Sequence, residues 1–504
     1  MVKPIYIAGE WKNGRGALRA TTFPADGSIN ADIATANADD VEEAVQAADK
    51  AWRDPSWRHR LPHERAAILY KVADLVAARA TTLAALQTRD NGKPLTETMA
   101  LVMSAAGTAR YFAAACETLD ESLPSQRSHD YMTASVYEPL GVVVAITPWN
   151  SPIASEMQKI APALAAGNAV IVKPAEATPL AALELARLFE EAGLPKGLLS
   201  VLPGRGSVVG EALARHPKVR KIAFTGGTST GRRLAGIAAE KLIPISLELG
   251  GKSPTIVLED ADIEMAARGV CYGIFSSAGQ ACIAGARLFV HHNIYEPFMA
   301  RLLELTRGLR CAGEVVQCEG FRVGHPEQPG IHMGSLINMA HLESVAGFVE
   351  RAGADGGTIL CGGKRLTGKT ETCDYDAGCF YAPTIISGLS NSSYVCQEEI
   401  FGPVLVVLPF DNEADLVAQA NDSMFGLAAG IWTENFRRGW RLARTLDTGT
   451  VWLNTYKKFS VSAPFGGFKE SGLGREKGRA GVREYMQQKS IYVGLSDEPN
   501  NWSA

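Results

Sequence analysis

Apolar residues at Val41, Ala44, Val45, Ala48 and Trp52 form one stripe along a helix over 41–52, and Asp40 with Glu43 supplies an acidic helix start. The Ala- and Leu-rich stretch over 64–86 predicts a second helical region. Lys93-Pro94 breaks it, and a further helix runs to about Cys116. From residue 140 the period changes. Short apolar runs over 141–146, 169–172, 198–202, 221–224 and 245–249 read as buried strands. Between the second and third of these, Ala181, Leu185, Leu188, Phe189 and Ala192 share a helical face, ended by Gly193 and Pro195. The alternation resumes with a strand over 255–258, a helix over 261–273, and strands over 404–408 and 450–453. The stretch 308–329 has no period and reads as a loop.

Strands alternating with helices predict a parallel, doubly wound sheet with helices on both faces. Such sheets take ligands at the carboxyl ends of their strands, which directs attention to the residues following each apolar run. At about 150 residues per domain, 504 residues imply about three folding units. Lys and Arg total 50 against 54 Asp and Glu, a net charge of -4, with no basic block. That balance argues against nucleic acid as a partner. No apolar run approaches the ~20 residues of a membrane span, so no membrane partner is expected. The first ten residues carry no apolar core of signal-peptide type. Nine scattered cysteines without CxxC pairs fit a reducing, cytoplasmic setting.

Five strand ends carry unusual residues: Thr147-Pro148-Trp149-Asn150, Lys173-Pro174-Ala175-Glu176, the turn Phe224-Thr225-Gly226-Gly227-Thr228, Glu248-Leu249-Gly250-Gly251-Lys252, and Gly279-Gln280-Ala281-Cys282. Singly, each has a plain structural reading. A Gly-Gly turn is most often a turn that needs a positive φ, and this one is not the GxGxxG fingerprint. A lone cysteine is most often inert. Glu248 stands out, because a carboxylate in an apolar strand needs a partner or a raised pKa.

Together, and in this order, these segments resemble the NAD(P)-dependent aldehyde dehydrogenase superfamily. So do Glu398-Glu399-Ile400-Phe401-Gly402-Pro403 and Pro464-Phe465-Gly466-Gly467-Phe468-Lys469-Glu470-Ser471-Gly472, and the likeness runs from about Ile7 to Tyr492. The resemblance implies an α/β fold of that type: a Rossmann-type parallel-sheet cofactor domain over 1–120 and 139–250, and a second α/β catalytic domain over 251–470. A small β oligomerisation arm with a C-terminal strand would occupy 121–138 and 471–504. It implies oxidation of an aldehyde to a carboxylic acid. Cys282 would be the nucleophile, Asn150 with the Cys282 N–H would hold the oxyanion, and Glu248 would activate the hydrolytic water. Lys173 and Glu176 would meet the adenosine ribose, where the Glu176 carboxylate should repel a 2′-phosphate and favour NAD over NADP. Phe224, Gly226, Gly227 and Thr228 would receive the pyrophosphate at a helix start. Gly227 stands where the family commonly has Ser, so one hydroxyl contact to phosphate is missing. Trp149 and Leu249 would border the nicotinamide, and Glu399 with Phe401 would hold its ribose and ring. Lys469 and Asn454 fall in family motifs as supports. The histidines lack ligand spacing, and no metal site is expected.

By the same resemblance Ser155, Gln158, Ala281, Ile283, Phe459 and Phe465 form the substrate mouth. Ser155 and Gln158 replace bulkier groups, which implies a pocket of mixed polarity for aldehydes with a polar substituent. No arginine cluster in these segments requires a carboxylated semialdehyde. A homodimer or homotetramer is implied, with the strand near 490–494 pairing with a neighbour and a long insertion around 311–323. The alternatives are a non-catalytic relative, which intact Cys282, Glu248 and Asn150 oppose, and a CoA-acylating dehydrogenase, which the retained Glu248 opposes.

Overall fold

A computed structural model describes residues 2–307 and 322–497. Two parallel sheets, each over its own apolar core, organise the chain. The first has eight strands. Its five central strands, in spatial order Ile245–Glu248, Val219–Thr225, Val142–Ile146, Ala169–Lys173 and Leu199–Val201, are parallel. Chain order runs outward in opposite directions from Val142–Ile146 and Val219–Thr225, so a crevice opens between their carboxyl ends. Antiparallel strands that the apolar pattern does not mark close the edges: Ile5–Ile7 and Glu10–Lys12 on one side, Gly472–Leu473 on the other. The second sheet has seven strands, six of them parallel, from Thr384–Ser387 through Val404–Phe410, Arg287–His291, Pro254–Val257 and Ala428–Trp432 to Thr450–Leu453. Thr358–Cys361 adds antiparallel at its edge.

The helices follow the apolar stripes, with shifted ends. The first covers Ala38–Arg53, because Asn37 rather than Asp40 caps it: Asn37 Oδ1 accepts from Asp39 N and Asp40 N, and Asp40 accepts from Asn37 N. The region expected over 64–86 is two helices, Pro62–Ala78 and Ala80–Asn91, meeting at Arg79 without a Gly or Pro to mark the break. The next helix, Leu95–Glu117, departs from the expectation that no segment reaches span length. Its 23 residues are long and apolar enough by length and composition, with an 18-residue stretch of mean hydropathy 1.2. Here it is a core helix, packed against Pro62–Ala78 and Pro152–Ala165, with Val102, Ala105, Ala109 and Phe112 fully buried.

Tyr131–Pro139, half-buried, pairs antiparallel with the exposed strand Met486–Gly494 over nine residues, forming a two-stranded ribbon. Residues 322–329 form no helix or strand beyond one bridge from Val323 to Met333. The rest of the loop expected over 308–329, with Cys311, Cys318 and most of the insertion, lies outside the described residues.

Candidate active site

Four strand ends and two loops meet at one cavity of about 780 Å³. Asn150, Glu248 and Cys282 all line it, as do Trp149, Lys173, Glu176, Phe224, Gly226, Gly227, Leu249, Glu399 and Phe401. Thr228 does not line it, whereas Thr230, Arg233 and Arg19 do.

Close backbone contact holds Glu248, Glu399 and the Cys282 turn together. Glu248 ends the strand Ile245–Glu248, between Thr225 on one side and Gly472 on the other. The chain then turns at Gly250-Gly251, where a Cβ on Gly250 would lie 2.4 Å from Glu399 Oε2 and one on Gly251 would lie 2.3 Å from the Cys282 carbonyl. Only glycines allow this segment to touch the Cys282 turn and the Glu399 loop together. Ser471, fully buried, fixes the turn further: its Oγ accepts from Gly426 N at 2.9 Å and donates to Gly250 O at 2.6 Å.

Cys282 follows a short 3-10 turn, Ser276–Gly279. Gln280 anchors it, taking the Ile337 N–H on Oε1 at 2.9 Å and giving its amide to Ser277 O and Ser335 O. The Asn150 amide donates to Gln280 O at 3.0 Å, so a side-chain N–H donor stands beside the Cys282 turn. The Cys282 N–H has no backbone acceptor among the described residues. Burial, then the charges of Glu399 and Glu248, push the Cys282 thiol up to about 12. Glu248, 4 % exposed, has an Oε2 without a hydrogen-bond partner. Burial and the neighbouring Glu476 carboxylate raise it well above the usual carboxylate range, while Lys159, Arg475 and Lys477 oppose that rise. Lys159 is fully buried, ion-paired to Glu476 and hydrogen-bonded to Thr225 Oγ1 at 2.7 Å.

At the far end of the cavity, Lys173 Nζ donates to Pro174 O at 2.7 Å, and burial brings its ammonium down to about 8. Glu176 pairs with Arg19 and accepts the Gly206 N–H at 3.1 Å. Gly226 spends its N–H on the Glu248 carbonyl at 3.0 Å, so the amides left free at this turn begin at Gly227, the cap of the helix Thr228–Lys241. Thr228 Oγ1 is buried there without a partner. Glu399 Oε1 accepts the Gly251 N–H at 3.0 Å, and burial raises this carboxyl to about 7. The Trp149 and Phe401 rings meet edge to face at 5.2 Å, and His341 Nε2 contacts the Phe401 carbonyl at 2.8 Å. Unspent helix-start amides from Gly227 at one end, with polar and aromatic groups along the wall, fit an elongated, phosphate-bearing dinucleotide.

None of the six residues expected at the substrate mouth lines this cavity. Ala281, Cys282 and Phe465 pack against a separate small cluster of Ile283, Leu427, Ala428, Trp452 and Tyr456. Phe459 joins them edge to face, 5.4 Å from both Trp452 and Phe465. Ser155 and Gln158 are half-buried on the helix Pro152–Ala165. Asn454 bridges Thr433 through both amide atoms, and Lys469 Nζ donates to Asn421 O, contacts that tie loops together.

Sequence reasoning missed the Lys159–Glu476 pair, Arg19, and two lysines beside Cys282, Lys457 and Lys477. Two further signals were available: Glu476 stands four residues past Gly472, which pairs with Glu248, and lysines interrupt the aromatic segment around Phe459.

The model of the aldehyde dehydrogenase family matches residues 11–491, and the chain belongs to that family. It is 41% identical to a phenylacetaldehyde dehydrogenase of Pseudomonas fluorescens, over 97% of this chain and 95% of the relative. It is also 41% identical to a betaine aldehyde dehydrogenase of Cereibacter sphaeroides, over 95% and 94%. Among solved structures, the NAD+ complex of an aldehyde dehydrogenase from Bacillus cereus superposes with a TM-score of 0.92 at 36% identity, covering 98% of this chain and 97% of that one.

Proposed function

We propose that this protein oxidises an aldehyde to its carboxylic acid with NAD as acceptor, through a thioester on Cys282. The observation that carries the reading is the convergence of Cys282, the Asn150 amide and Glu248 on one cavity whose other end carries unspent helix-start amides. The Cys282 thiol passes its proton to a water molecule as its sulfur adds to the carbonyl carbon, the carbonyl π bond breaks, and the carbonyl oxygen takes up the negative charge. The Asn150 N–H and the Cys282 N–H stabilise that oxyanion, each donor contributing about 3–4 kcal/mol. A bound nicotinamide ring supplies the acceptor for the hydride that leaves this carbon. Glu248 then takes a proton from the water that attacks the Cys282 thioester; the C–S bond breaks, and the acid and the thiol are released.

Phe224, Gly227 and Thr228 would hold the pyrophosphate, with Gly226 shaping the turn. Lys173 and Glu176 would hold the adenosine ribose, Glu399 and Phe401 the nicotinamide ribose and ring, and Trp149 and Leu249 would border it. The Glu176 carboxylate disfavours a 2′-phosphate, which favours NAD over NADP, although paired Arg19 softens that repulsion. Ser155, Gln158, Ala281, Ile283, Phe459 and Phe465 are assigned to the aldehyde. The ribbon of Tyr131–Pro139 and the exposed strand Met486–Gly494 offers an open edge for self-association of a cytoplasmic homodimer or homotetramer. The test is NADH formation across alkanals, aromatic aldehydes, amino-aldehydes and semialdehydes, with NAD and NADP, beside Cys282→Ala. Turnover lost in the variant supports the thioester route. Turnover that persists in it, or acyl release only with CoA present, overturns it.

A further inference from the structure

The mouth assigned to the aldehyde holds a cation of its own. Lys477 is 8% exposed, and its Nζ lies 4.0 Å from the Phe459 ring centroid and 5.2 Å from that of Phe465. Its Nζ makes no hydrogen bond or ion pair with any described residue; it lies against aromatic faces, within the fields of Glu476 and Glu248. Phe465 packs into the cluster that contains Cys282, which leaves this ammonium one ring removed from the nucleophile. On a second loop, Lys457 Nζ donates to Ser276 Oγ at 2.7 Å and lies 5.8 Å from the Tyr272 ring. Burial brings Lys457 down to about 8, against the field of Glu97, and lowers Lys477, against the fields of Glu476 and Glu248.

We propose that the aldehyde oxidised here carries a carboxylate at the end remote from its carbonyl, and that Lys477, supported by Lys457, receives it. A buried ammonium whose hydrogen atoms find no acceptor gains most from an anionic ligand that supplies one. The same arrangement opposes a trimethylammonio-aldehyde, because the ring faces such a ligand needs are already occupied by a positive charge. The specificity therefore departs from that named for the betaine aldehyde relative.

This inference rests on the aldehyde oxidation proposed above, and the test separates the two. NADH formation is measured with pentanal, with the monoaldehyde of glutaric acid and with trimethylammonio-butanal, in wild type, Lys477→Met, Lys477→Arg and Lys457→Met. The readout is the ratio of kcat/KM for the carboxylated over the neutral aldehyde. It is expected to fall about 30-fold in Lys477→Met, to recover in part in Lys477→Arg, and to fall less in Lys457→Met. A ratio unmoved in both methionine variants, with all rates falling together, would mean that the lysines only tune Glu248 and Cys282, and would overturn the proposal. So would wild-type preference for the trimethylammonio-aldehyde. No NADH from any of the three, with NAD still bound, would overturn the oxidation itself.

Discussion

Glu248→Gln isolates the hydrolytic half of the reaction. The amide matches the carboxyl in shape, and Glu248 Oε2 has no hydrogen-bond partner to lose, so the packing around a residue only 4% exposed is preserved. What disappears is the base. A positioned general base contributes about 10²–10⁴-fold, equivalent to about 3–5 kcal/mol of barrier. The size of the effect depends on pH in a direction set by the site. Burial and Glu476 raise Glu248 above the usual carboxylate range, so its basic form is the minor one at low pH and grows as pH rises. Below that raised pKa, the wild-type steady-state rate should climb about tenfold per pH unit while the Gln variant stays flat, so the gap widens with pH. The assay is stopped-flow NADH formation at saturating aldehyde. A burst of one NADH per site followed by a slow steady state is expected in the variant, with acid release restored on adding a strong external nucleophile. A steady-state loss under about tenfold, or loss of the burst in a folded variant that still binds NAD, would refute the assignment of Glu248 to thioester hydrolysis.

Asn150→Ala removes the side-chain donor beside the Cys282 turn and should lower kcat about 10²–10³-fold with NAD affinity retained, measured by parallel kinetics and cofactor titration. Glu399 ionises at about 7 in the fold, above its ordinary value of 4.5, so stability is lost as pH rises from 4.5 through 7. The Tm of Glu399→Gln relative to wild type should therefore rise between pH 5 and pH 7 and level off above, by scanning calorimetry at one scan rate; a constant difference would count against it. Ser471→Ala leaves the buried Gly426 N–H without its acceptor and should cost about 1–3 kcal/mol, seen as a lowered urea midpoint.

The pattern of apolar residues along the chain marks the buried parallel strands and the helices between them, because a strand covered on both faces must be continuously apolar. That was enough to place Trp149, Lys173, Glu248 and Cys282 at strand ends or turns and to show the likeness to the family. The edge strands Ile5–Ile7, Glu10–Lys12 and Gly472–Leu473 left no such mark, being only two or three residues long and joined to the parallel strands across long sequence distances. The break at Arg79 was equally silent, since the Ala and Leu stripe continues through it. Charges in the site were the least legible. Whether a lysine is solvated or enclosed depends on what folds over it, and Lys159, separated by 317 residues from its partner Glu476, reads as any helical lysine in the sequence. Lys457 and Lys477 likewise became candidate ligands only when Phe459, Phe465 and the Cys282 turn closed around them. Local sequence determined the strands, the turns and which residue types stand at their ends. Tertiary packing decided which charges lost their water, and with that which of them can govern the chemistry and the choice of aldehyde.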